Sequence, residues 1–94
     1  MSIKATKQPA VHPGRVLSRI LEKTGVTQTK LAAHLKVKPS YISDICRGRI
    51  GISAEMAKKL GRSFNQSAEF WMQAQMNWEL SRAEDPKDLK PLAA

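Results

Sequence analysis

The stretch Gln28–Arg47 reads QTKLAAHLKVKPSYISDICR, and it constrains the fold more than any other part of the chain. Leu31, Ala32 and Leu35 form the buried side of a short helix that Thr27 is placed to cap. A tight turn follows at about Lys36–Lys38. Pro39 then opens a second short helix, where a missing N–H costs nothing, and Ile42 and Ile45 face inward. A helix-turn-helix needs a small residue where its helices cross, and Ala32 occupies that place. It also needs apolar wedges that fix the angle between the helices, and Leu31, Leu35, Val37, Ile42 and Ile45 have that spacing. The outer end of the second helix must present polar side chains to base edges. Here that end offers Lys38, Pro39, Ser40, Tyr41, Ser43 and Asp44. One residue departs from the pattern. The turn position, commonly Gly because its backbone is left-handed, is Lys36, at a cost of roughly 1 kcal/mol.

The flanks extend this pair into an all-α domain of five helices. A first helix begins near Pro13, carries Val16, Leu17, Ile20 and Leu21 on one apolar stripe, and stops at Gly25. Gly48 closes the third helix. Ser53 caps a fourth, buried through Met56, Ala57 and Leu60. Ser67 caps the fifth and longest, which runs to about Arg82. No period-2 alternation and no internal repeat is present. On a helical wheel Phe70, Trp71, Ala74 and Trp78 share one face of the fifth helix, while Met72, Met76 and Leu80 share the opposite face. The first stripe is expected to meet the domain's own core. The second is a candidate seam between two copies of the chain, unless the small domain wraps the helix enough to cover both. Residues 1–11 read as a flexible basic arm, 12–83 as the folded domain and 84–94 as a flexible tail with Pro86 and Pro91.

Charge says what such a domain meets. The 94 residues carry a net +8. Residues 1–68 hold thirteen Lys and Arg against three acids, and residues 69–94 hold three against five. The basic surface therefore belongs to the front of the chain. It suits a polyanion, either nucleic acid or an anionic membrane surface. No apolar run approaches the roughly 20 residues of a membrane span, and residues 1–11 have no apolar stretch of the kind a secretory leader requires. The single Cys46 rules out an intramolecular disulfide and fits a reducing cytoplasm. His12 and His34 have no carboxylate at a catalytic spacing, and Cys46 has neither a CxxC partner nor zinc spacing. No cofactor, metal site or catalytic residue is expected.

The candidate DNA contacts each have a plainer alternative. Gln28, with Thr29 and Lys30 beside it at the start of the second helix, can hold a phosphate next to the helix N-terminus, or be ordinary surface. Lys38 has no acceptor atom, so it is a poor cap and a better DNA-facing cation. Ser40 and Tyr41, beside Pro39 and Ser43, stand where base and sugar–phosphate contacts are made. Asp44 can accept from cytosine N4 or pair with Arg47 three residues on. Arg47 and Arg49 flank Gly48 and suit a clamp on the DNA backbone, or are solvated charge. Phosphate contacts give affinity and register, and base-edge contacts give sequence choice.

The opening HPGRVL (His12–Leu17), the run VTQTKLAAHLKVKPSYISDICRGRIGISAEMAKKLGRSF and EFWMQAQ (Glu69–Gln75) together resemble the HigA (VapI-like) antitoxins over about residues 12–80. The helix-turn-helix alone is shared with phage-type repressors, and the HPG opening and EFW segment are the more specific parts. Arg15 stands where an acidic residue is common in that family. The resemblance implies a homodimer joined largely through its C-terminal region, bound to the operator of its own promoter. It also implies a cognate HigB-like toxin, a RelE-like mRNA endonuclease neutralised by direct contact. Such toxins are usually basic, which suits the acidic end of this chain (Glu69, Glu79, Glu84, Asp85 and Asp88); the flexible arm of residues 1–11 with the first helix, which could order on a partner, is the other surface available to one. A stand-alone helix-turn-helix repressor without a toxin is the other reading of the same residues.

Overall fold

A computed structural model describes residues 10–93. Residues 1–9, most of the expected basic arm, and residue 94 lie outside the described residues. Five helices follow in order: α1 (Pro13–Thr24), α2 (Gln28–Leu35), α3 (Pro39–Cys46), α4 (Ala54–Phe64) and α5 (Ala68–Arg82). There is no strand among the described residues, and α5 is the longest element. From Ala83 to Ala93 the chain is exposed and carries no helix.

The ends of the helices follow from local chemistry. Thr27, Ser53 and Ser67 each accept a backbone N–H three residues on and so cap α2, α4 and α5. Gly25 and Gly48 take positive φ, where a side chain is strained, and turn the chain away after α1 and α3. α1 starts on the HPG motif, and each of the three residues has its own task. His12 Nδ1 accepts the Gly14 N–H at 2.8 Å and caps the helix. Pro13 supplies the first helical position. Gly14 lets α1 lie directly on the end of α3, because a Cβ there would overlap the Ile45 carbonyl oxygen.

One core joins all five helices. Leu17, Ala32, Ile42, Ile45, Ala57, Leu60 and Trp71 are completely buried, with Leu21, Leu31, Leu35, Ile52 and Met56 nearly so. α2 packs on α3, α1 on α3, α4 on α5, and α1 on α5. α5 differs from its wheel in rotation. Its buried arc is centred on Trp71 and Gln75, so Phe70, expected to face the core, is 43% exposed and stands edge-on to Trp71 at 5.3 Å. Met72, expected on the outward stripe, is half-buried against the protein's own core. Met76 and Leu80 remain exposed, at 47% and 66%. Trp78 is half-buried, its ring 4.7 Å from that of His12, with the Arg82 guanidinium 5.0 Å from its centroid. His12 therefore caps α1 and also joins it to α5.

That cap is sensitive to protons. Burial lowers the His12 pKa below its ordinary 6.5, and the Ile50 backbone offsets part of the effect. Nε2 is buried and has no hydrogen-bond partner among the described residues. Nδ1 accepts the Gly14 N–H, so the capping form is the neutral ring; a proton on Nδ1 would abolish the cap. A histidine whose pKa is lower folded than unfolded contributes stability that is complete above the unfolded pKa and is lost as pH falls through and below it. The melting temperature is thus expected to drop on acidification from about pH 7.5 to about pH 5.5. His12→Asn keeps a capping oxygen without a titrating ring, and should remove part of that slope. Parallel slopes for the two proteins in thermal melts would contradict this role.

Candidate nucleic-acid interface

The first turns of the helices differ in charge. α4 and α5 carry Glu55 and Glu69 in their first turns, where a carboxylate offsets the positive end of the helix dipole. α2 and α3 carry no acid there. At α2, Thr27 Oγ1 satisfies the Lys30 N–H at 3.0 Å, and Gln28, Thr29 and Lys30 stand exposed around the turn. At α3, Lys38 holds extended backbone and gives no side-chain cap, and Lys38, Pro39 and Ser40 are exposed. The two helices of the helix-turn-helix thus present uncompensated positive ends, the arrangement that accepts a phosphate.

Lys36 makes the turn between them. Its backbone is left-handed, φ 60 and ψ 45. Its N–H bonds to Ala33, and the Val37 N–H reaches Ala32 at 3.0 Å. The left-handed turn and the fully buried Ala32 at the crossing are as the sequence pattern requires. The missing glycine leaves strain and adds a cation.

The other expected residues fall into two groups. Tyr41, Ser43 and Asp44 are half-buried along α3, and Tyr41 leans on the core. Arg47 and Arg49 are exposed in the loop that follows. Asp44 faces Arg49, at 3.9 Å, and the Arg47 pair weighed from the sequence is absent. The contact is long and solvent-accessible on both sides, so it adds little stability and leaves either group able to turn to DNA. What holds the loop is a residue the sequence reading passed over. Gln75 on α5 is buried, accepts the Ile52 N–H at 2.7 Å through Oε1 and donates to Glu79 at 2.7 Å through Nε2. The signal was an amide midway between two tryptophans, in an otherwise apolar arc.

Chemistry other than binding finds little support in the described residues. No three His, Cys, Asp or Glu side chains gather to hold a metal. Burial pushes the Cys46 thiol up, with partial relief from Ser18, so the reactive thiolate is disfavoured. No helix is long and apolar enough to cross a membrane.

Residues 17–71 match the helix-turn-helix family. Virulence-associated protein I of Dichelobacter nodosus is 40% identical over 90 residues, covering 93% of this chain and 83% of that protein. The Pseudomonas aeruginosa antitoxin HigA, solved with the higBA promoter, superposes with a TM-score of 0.83 at 36% identity, over 92% of this chain and all of the other. This chain belongs to the HigA (VapI-like) family of helix-turn-helix DNA-binding proteins. Antitoxin GraA in complex with its operator gives a TM-score of 0.84 at 29% identity, over 99% of this chain and all of the other. The HigA-type fold thus covers nearly the whole chain, and the family is one of DNA-binding regulators rather than enzymes.

The turn offers a direct check within this HigA-type fold. Lys36→Gly relieves a left-handed side chain and should raise folding stability by about 0.5–1 kcal/mol. Chemical denaturation measures it. A loss of stability would show that the Lys36 side chain contributes more than its backbone costs.

Proposed function

We propose that the protein is the antitoxin of a HigB/HigA-type pair: a homodimer that binds operator DNA, autorepresses its operon and neutralises a RelE-like mRNA endonuclease, acting in the cytoplasm. The observation that carries the DNA half is the superposition on two antitoxins, one with a promoter and one with its operator, over nearly the whole chain. The acid-free starts of α2 and α3 supply the chemistry. In this reading Gln28, Thr29, Lys30, Lys38, Pro39, Arg47 and Arg49 hold the DNA backbone, while Ser40, Tyr41, Ser43 and Asp44 face base edges. Two recognition helices must sit about 34–36 Å apart to read successive major-groove turns, so a rigid seam is required. Met76 and Leu80, with Met72 at their inner edge, are its candidates. The basic toxin would meet the acidic end, where Glu84, Asp85 and Asp88 are exposed, or the arm of residues 1–11 with α1. Either choice leaves α2 and α3 free for DNA.

Titration on the duplex upstream of the gene and on a scrambled duplex, at several salt concentrations, tests the DNA half. Wild type should bind the first as two chains per site. Arg47→Ala and Gln28→Ala should weaken binding to both duplexes alike, and Arg47→Ala should flatten the salt slope by about one unit. Ser40→Ala should instead relax the preference at one base pair by about 1–3 kcal/mol. Unchanged affinities in all three would remove the assignment.

Co-expression with the product of the adjoining reading frame, followed by pull-down, tests the toxin half. A complex that still shifts the upstream duplex is the expected result. A relative of 29% identity is described as an uncharacterised helix-turn-helix transcriptional regulator in Escherichia coli. No complex, with repression intact, would favour the reading of this chain as a stand-alone repressor without a toxin.

A further inference from the structure

A groove of about 390 Å³ lies where the start of α1 meets the end of α3 and the side of α5, and it belongs to none of the positions so far assigned to DNA except Arg47. Arg15 from α1 and Arg47 from the loop after α3 both line it, and Ala10, Val11, His12, Cys46, Gly48 and Trp78 form the rest of its walls. No carboxylate lines it. The one acid nearby on α3, Asp44, faces Arg49 instead, and the Arg82 guanidinium lies over the Trp78 ring. α1 also lacks an acid in its first turn. The two charged side chains that line the groove are therefore both cations, and neither has a salt-bridge partner among the described residues.

We infer that this groove is a phosphate seat, in which Arg15 and Arg47 together hold one backbone phosphate of the bound duplex. The inference rests on the DNA reading above and extends it to a residue on α1. Two arginines in one groove without a counter-charge repel each other in the free protein, and a phosphate removes that repulsion. Guanidinium groups also match phosphate oxygens two by two, which a lysine point charge does not. Continuity with the recognition helix favours a duplex over any other anion, because Arg47 directly follows α3. The Gly14–Ile45 approach fixes the first turn of α1, and so the Arg15 backbone, against that same helix end. His12 supplies a wall rather than a charge, since its buried ring is held neutral by the cap it makes.

Arg15 is exposed, so its replacement leaves the core alone. On a scrambled duplex, where only backbone contacts count, Arg15→Ala should lose about tenfold in affinity and flatten the salt slope by about one unit. Arg15→Lys should keep the slope and recover part of the affinity. Combined with Arg47→Ala, the loss should fall well short of the product of the two single losses, as for residues sharing one ligand. Wild-type binding with Arg15→Ala unchanged in affinity and slope would overturn the seat and leave the DNA reading standing. Fully multiplicative losses would show that the two arginines serve different phosphates. If wild type fails to bind any duplex, the DNA reading falls and the seat with it.

Discussion

A missing side chain governs the arrangement of this molecule. At Gly14 the backbone of α1 comes so close to the Ile45 carbonyl oxygen that no Cβ fits between them. That contact sets the first helix against the end of the recognition helix. His12 makes use of the same place, capping α1 with one ring nitrogen and meeting Trp78 of α5 with the ring itself. Three helices therefore converge on the short His12–Gly14 segment. Any larger side chain at position 14 would push α1 away from α3 and open the core at Leu17, Ile42 and Ile45, which are buried together. Packing at native density transmits such a shift instead of absorbing it.

A second tie, 23 residues long in sequence, complements the first. Gln75 reaches from α5 to the Ile52 N–H. It sits so close to Gly51 that a Cβ there would press on the amide. A buried amide with both its polar ends occupied is a positional device, since leaving either end unpaired costs about 1–3 kcal/mol. The segment between α3 and α4 is thereby fixed to the helix proposed to join two copies. Arg47 and Arg49 ride on that segment, so the spacing of the proposed DNA clamps and the geometry of the proposed seam are set by one framework.

The five helices and most of their ends were legible because each rests on local chemistry. Thr27, Ser53 and Ser67 are caps by residue type, Pro13 and Pro39 are helix openers, and Gly25 is a stop. The left-handed turn at Lys36 was also readable, since the spacing of Leu31, Leu35, Val37 and Ile42 demands it whatever residue stands there. What failed was rotation. A helical wheel weights apolar residues and so drew the core face of α5 toward Phe70, whereas burial centres on Trp71 and a glutamine. A hydrogen bond to a backbone 23 residues away has no signature in local periodicity. The dual use of His12 was hidden for the same reason, since Trp78 is its neighbour only after folding. The groove that brings Arg15 to Arg47 is likewise created by the α1–α3 approach and lies beyond any spacing rule.

The acid-free starts of α2 and α3 also bear on how long such a chain persists. Those ends exist as a surface only when the helices are formed, so a polyanion there selects the folded chain. A ligand at a hundred times its dissociation constant adds about 2.7 kcal/mol to folding, a large share of what a small domain has. Bound to DNA, the chain opens less often, and an opened chain is what a protease cuts. If DNA seats on those ends as proposed, occupancy of the operator and lifetime of the protein are coupled, and the molecules most exposed to turnover are those not on DNA.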